Sequence, residues 1–129
     1  MSLGYDPKQI VAWHVLVDFL IRQSSTPLCI APLNLQNLNK IYKREHDEHQ
    51  SNAFSFLRFL VPFLSNFQGI SLYMDCDMLV QANINELLDV ALRNQDKANH
   101  VATHDYEPKS DTKYLGQNSI LIHGKIGQV

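Results

Sequence analysis

Two aspartates separated by one residue, Asp75 and Asp77, close the apolar run "SLYMDCDML". Carboxylate oxygens are hard donors, and two of them so spaced at a strand end can reach one Mg²⁺ or Mn²⁺ if the backbone bends or water bridges one. A cation of this kind suits a diphosphate, whose charge it neutralises while orienting the leaving group. The same triplet often only caps a helix or solvates a loop, so its surroundings must decide. Arg58 lies among Phe56, Leu57, Phe59 and Leu60, where a buried guanidinium needs an anionic partner, either a ligand or an ordinary carboxylate. His46 and His49 in "EHDEH" have a spacing that a metal could use, but the stretch is charged, lacks the zincin pattern and reads as solvated. His104 and Asp105 could line the same crevice as the aspartates or cap a loop. Ser55 is outside any Gly-x-Ser-x-Gly elbow, which removes a hydrolase reading.

The elements that position these residues follow from periodicity. Asp6 and Pro7 open a helix whose residues Ile10, Trp13, His14, Val17, Leu20 and Ile21 recur at three- and four-residue spacing, before the stop at Ser24 to Pro27. His14, on that face, is expected to be a hydrogen-bonded core histidine. "PLCIAPL" predicts one short buried strand, residues 34–42 a weak helix, and "KREHDEHQSN" a solvated loop. "AFSFLRFLVPFL" predicts a helix capped by Ser55 and kinked or ended by Pro62. "SNFQG" is a turn, "ISLYM" a strand, and "NINELLDVALRN" a helix capped by Asn83 or Asn85. Beyond it, "HVATH" and "SILI" are further strand candidates, and "DYEPKSD" is a loop. Helices alternating with short buried strands indicate α/β architecture with a mainly parallel sheet, where ligands bind beyond the carboxyl ends of the strands.

Composition narrows the classes. The 129 residues make one domain's worth of chain, and 45% hydrophobic with 19% charged residues describes an ordinary globular protein. A net charge of −2 without a basic stripe argues against nucleic-acid binding by phosphate neutralisation. Apolar runs such as residues 59–64 fall well short of the roughly 18 to 20 residues a membrane span needs, and no signal-peptide pattern opens the chain. Cys29 and Cys76 fit no zinc or redox spacing, so a reduced, cytoplasmic setting is expected.

Residues 54–89, "FSFLRFLVPFLSNFQGISLYMDCDMLVQANINELLD", resemble glycosyltransferases of the GT-A fold, particularly family 8 and its relatives. The shared pattern is an "SRF" helix, a "P.L" turn, an apolar strand, "DxDxLV" and "I.ELLD". "GYDP" at residues 4–7 is similar to the family's loop after its first strand, and "HDYEPK" to the segment after a later one. The resemblance implies an α/β, GT-A-like (Rossmann-like) three-layer fold and transfer of a sugar from a nucleotide-sugar, a UDP-sugar in most members, to a saccharide or glycoconjugate acceptor. It implies Asp75 and Asp77 as ligands of Mn²⁺ or Mg²⁺, with Tyr5, Asp6, Arg58, Asp75, Cys76, Asp77 and His104 as the donor-binding set. Tyr5 and Asp6 would lie near the base. "NSILIH" and His123-Gly124-Lys125 faintly resemble a later strand and a late "H..G.K" motif.

Against the family pattern, residues 1–129 read as a single donor-binding domain whose acceptor half is absent. Met1-Ser2-Leu3 reads as a leader ahead of Gly4, with the first strand missing or cut to its last residue. A sheet so exposed predicts pairing with a second copy. Two alternatives stand beside the transferase: a catalytically incompetent remnant that binds nucleotide or acts as an interaction module, and, more distantly, a nucleotidyltransferase, whose glycine-rich basic loop is not found.

Overall fold

The computed structural model describes residues 1–44 and 54–101. His46, His49, His104, Asp105, the "DYEPKSD" loop, the "SILI" candidate and His123-Gly124-Lys125 lie outside them, as does most of "HVATH". The chain divides into two units, Met1–Arg93 and Asn94–Val129. Within the second, the described residues Asn94–Val101 include a turn in which Lys97 N donates to the Asn94 carbonyl at 3.2 Å.

The first unit contains strand β1 (Ser2–Tyr5), helix α1 (Ile10–Gln23), β2 (Ala31–Asn34), α2 (Val61–Leu64), β3 (Tyr73–Met74) and α3 (Ile84–Arg93). The three strands form a parallel sheet in the order β2-β1-β3. This is a small mixed α/β domain with helices flanking a parallel sheet, consistent with a generic Rossmann-like arrangement. The opening residues are its centre: Ser2 faces Ala31 on one side and Tyr73 on the other, and Leu3 faces Pro32 and Met74. Ser2 and Leu3, set apart in the sequence as part of a leader, are strand residues of this sheet.

Leu3 is fully buried and packs with Leu16, Leu20, Met74, Val80 and Ile84. A second cluster joins Leu33, Phe54, Leu57, Val61 and Cys76, and Trp13 touches both. The buried face of α1 is therefore Trp13, Leu16, Val17 and Leu20. His14 is exposed, edge-on to Trp13, and Ile21 is exposed as well, so the core-histidine expectation is corrected. The stripe that includes Leu16 is rotated around the helix from the one drawn through His14 and Ile21.

Asp6 caps the start of this segment, accepting from Lys8 N at 2.9 Å, and Pro7 opens a 3-10 turn, Pro7–Gln9, that runs into α1. The single helix expected over residues 53–64 is instead a 3-10 turn, Leu57–Leu60, followed by α2. Phe56, not Ser55, holds the position before the turn. Pro62 sits in the first turn of α2, where its missing N–H costs no helical bond, and the segment ends in left-handed residues Asn66 and Phe67. Asn83 is the residue that caps α3, accepting from Asn85 N at 3.1 Å. Its amide also donates to Ser25 Oγ at 2.9 Å, while Asn85 Nδ2 reaches Ser25 Oγ and Thr26 Oγ1 at 3.0 and 2.8 Å. These bonds pin the end of α1 to the start of α3, and so fix the exit of the turn that carries Asp75 and Asp77.

Candidate functional site at the end of β3

Beyond the end of β3 the residues around the aspartates sort by what they pack against. Tyr73 and Asp75 meet each other, while Met74 is buried in the Leu3 cluster and Cys76 in the Phe54 cluster, against which Tyr73 also packs. The Tyr73 hydroxyl donates to Asp75 Oδ1 at 2.8 Å, and Arg58 Nη2 lies 3.1 Å from both Asp75 oxygens. Arg58 Nε is itself anchored on the Ser55 carbonyl at 3.1 Å, and the guanidinium carbon stands 5.4 Å from the centre of the Tyr73 ring. The 3-10 turn that broke the expected helix thus aims Arg58 at the strand end.

The pair is half-open to water, with side-chain exposure of 42% for Arg58 and 25% for Asp75. An ion pair so screened contributes little to stability. Its interest is the arrangement: Asp75 is held, oriented and partly neutralised, while Asp77 is exposed and has no hydrogen-bond partner among the described residues. Burial pushes the Tyr73 hydroxyl well above its ordinary range, reinforced by the charge of Asp75 and the hydrogen bond to it and opposed by Arg58.

Gly4 explains how Tyr73 comes so close to β1. A Cβ there would lie 2.5 and 2.8 Å from the Phe54 ring and 2.8 Å from the Tyr73 hydroxyl. Only glycine leaves the room in which the Tyr73 hydroxyl reaches Asp75.

Cys76 ties this turn to the one after β1. Its sulfur donates to Gln9 Oε1 at 2.9 Å, and its thiol is pushed up to about 11, first by burial, then by the charges of Asp77, Asp75 and Asp6, against a lowering backbone hydrogen bond. The Gln9 contact brings the turn after β3 beside the residues that follow β1. Asp6 itself is 6% exposed and is used as the cap of the 3-10 turn, and Tyr5 is half-buried, edge-on to Trp13 at 5.8 Å. Trp13 Nε1 is buried with no hydrogen-bond partner among the described residues.

Of the residues expected at the site, then, Arg58 and Asp75 are in contact, Cys76 and Asp77 flank them, Tyr5 and Asp6 belong to the neighbouring turn, and His104 is outside the described residues. Tyr73 and Gln9 were not anticipated. Tyr73 was detectable as an aromatic two residues before Asp75; Gln9, distant in sequence from Cys76, gave no signal.

No group of three or more His, Cys, Asp or Glu that could hold a metal occurs among the described residues. A closed zinc site needs four such ligands, whereas Mg²⁺ commonly takes one or two carboxylates and completes its shell with water and phosphate oxygens. Two aspartates, one of them exposed, fit the second pattern.

Fold and site define a small mixed α/β domain with acidic residues beyond the end of a parallel strand. A curated relative, "Protein CDI" of Arabidopsis thaliana, is 40% identical to this chain over 116 residues, which is 88% of the chain and 44% of the relative. The chain thus spans less than half the length of that relative. No protein-family model and no solved structure matches the chain. No helix among the described residues is long and apolar enough to cross a membrane, and both cysteines are free, Cys29 exposed and Cys76 buried.

Proposed function

We propose that this chain carries the donor-binding site of a metal-dependent glycosyltransferase with a GT-A-like fold, which takes a nucleotide-sugar, UDP-linked by family resemblance, and passes the sugar to a saccharide or glycoconjugate acceptor. The observation that supports it best is the cluster of Arg58, Tyr73 and Asp75 beside an exposed Asp77 at the carboxyl end of a parallel strand. Such a strand end is where an α/β sheet takes its ligand, and the residue types match a diphosphate and its counter-charge.

Asp77, with Asp75, would hold the Mn²⁺ or Mg²⁺. Bound there, the ion supplies positive charge to the diphosphate as the leaving group departs. Arg58 would bring a second positive charge to the same diphosphate, and Tyr73 keeps Asp75 in one orientation. Tyr5, at the end of β1, would pack on the base, with Asp6 capping the turn that follows.

Calorimetric titration of UDP with and without Mn²⁺ tests this reading. Mn²⁺-dependent UDP binding supports it; absence of UDP binding under both conditions overturns it. Hydrolysis of a UDP-sugar, measured alone and with acceptor saccharides, then separates turnover from the remnant that binds nucleotide without catalysis.

A further inference from the structure

Arg58 and a metal ion would compete for the same carboxylate. Nη2 spans both oxygens of Asp75, and Tyr73 takes a further position on Oδ1, so a cation approaching Asp75 meets a guanidinium already there. Like charges at such range repel, and the carboxylate they would share, Asp75, has a side-chain exposure of only 25%. The guanidinium is tethered through Nε to the Ser55 carbonyl, so it gives up Asp75 only for another anion within reach of that tether. Its Nη1 makes no hydrogen bond to any described residue, and the side chain is partly exposed. A guanidinium is built to bind a phosphate through two nitrogens, so Nη1 and Nη2 offer a diphosphate a bidentate partner at the cost of the Asp75 contact.

We infer that Arg58 makes metal and diphosphate binding interdependent: in the free protein it blocks Asp75 against the cation, and an arriving diphosphate draws it away and opens Asp75. This rests on the donor-site reading above and adds to it a rule of order. Metal alone binds weakly, through Asp77; diphosphate alone binds weakly, through Arg58; each strengthens the other. Because the coupling is thermodynamic, the factor by which UDP tightens Mn²⁺ equals the factor by which Mn²⁺ tightens UDP.

The test is calorimetry on the full chain with three titrations, Mn²⁺ alone, UDP alone and UDP at saturating Mn²⁺, for the wild type, Arg58→Ala and Arg58→Gln. The partly exposed side chain can be removed without emptying the core, and the glutamine variant keeps its bulk without its charge. Both variants are expected to bind Mn²⁺ alone more tightly than wild type, on the order of tenfold, and to lose most of the mutual enhancement, which for linked sites is typically of that size. Mn²⁺-dependent UDP binding in the wild type, with Mn²⁺-alone affinity unchanged or weakened in both variants, overturns the interdependence while leaving the donor site standing. A wild type that binds no UDP with or without Mn²⁺ overturns both.

Discussion

The turns that follow β1 and β3 both carry aspartates beyond the end of a parallel strand, and they use them in opposite ways. After β1, Asp6 is 6% exposed and its carboxylate caps the 3-10 turn that leads into α1. After β3, Asp75 is held by Arg58 and Tyr73, while Asp77 is left in water. An acid that serves the backbone contributes to folding; one kept in solvent contributes almost nothing to it and is free for a ligand. The contrast supports scaffold for the first turn and the proposed ligand site for the second.

The largest effect on this contrast should come from Gly4→Ala. The added methyl would lie too close to the Phe54 ring and the Tyr73 hydroxyl, and overpacking of this kind costs roughly 1–3 kcal/mol. Denaturant unfolding should show that loss, and UDP binding with Mn²⁺ should weaken as well, because Tyr73 is displaced from Asp75. Unchanged stability would mean that β1 and β3 are not as closely packed as described. Asp6→Ala should cost about 1 kcal/mol, the usual worth of an N-cap. A change in stability accompanied by little change in metal affinity would keep Asp6 in the scaffold; the reverse pattern would move it into the site.

Cys76 gives a smaller effect, seen with pH. Its thiol is raised from 9.0 to about 11 in the folded chain, so the folded state keeps its proton longer than the unfolded state does. The resulting stabilisation is complete below pH 9 and is lost as pH rises toward 11, with unfolding favoured increasingly across that window. Tyr73, raised for a similar reason, adds to the alkaline loss. Cys76→Ala should flatten the part of the curve that belongs to the thiol. At pH 8, iodoacetamide followed by intact-mass measurement should label exposed Cys29 and spare Cys76. Double labelling of the native protein would contradict the burial of Cys76 against Gln9.

How much of this could be read from the sequence differs between the same two regions. The β3 turn was legible, because an apolar strand, an acid pair and a helix capped by Asn83 follow one another without interruption. The β1 strand was not: it begins at Ser2, too short and too near the start to show alternation, and its centrality depends on partners at residues 31–34 and 73–74. Within α1, spacing alone admitted His14 and Ile21 to the core, whereas packing against Leu3 and Met74 selected Leu16 and Leu20. For Arg58 the apolar neighbours predict an anionic partner, ligand or carboxylate, if the side chain is buried; it is exposed and paired all the same. That the anion in the folded chain is Asp75, 17 residues away, depends on the 3-10 geometry at Leu57–Leu60, which no periodicity announces.

Asp77→Ala should have the least effect on folding, within about 0.5 kcal/mol for an exposed side chain outside any network, and the greatest effect on ligand. Thermal melting of wild type and Asp77→Ala, each alone, with UDP, with Mn²⁺ and with both, therefore tests the central claim most directly. Equal melting temperatures without ligand, with a joint UDP and Mn²⁺ stabilisation present in the wild type and lost in the variant, are the predicted result. A joint stabilisation that survives in Asp77→Ala, or one that is absent from the wild type, would contradict the assignment of chemistry to the β3 turn.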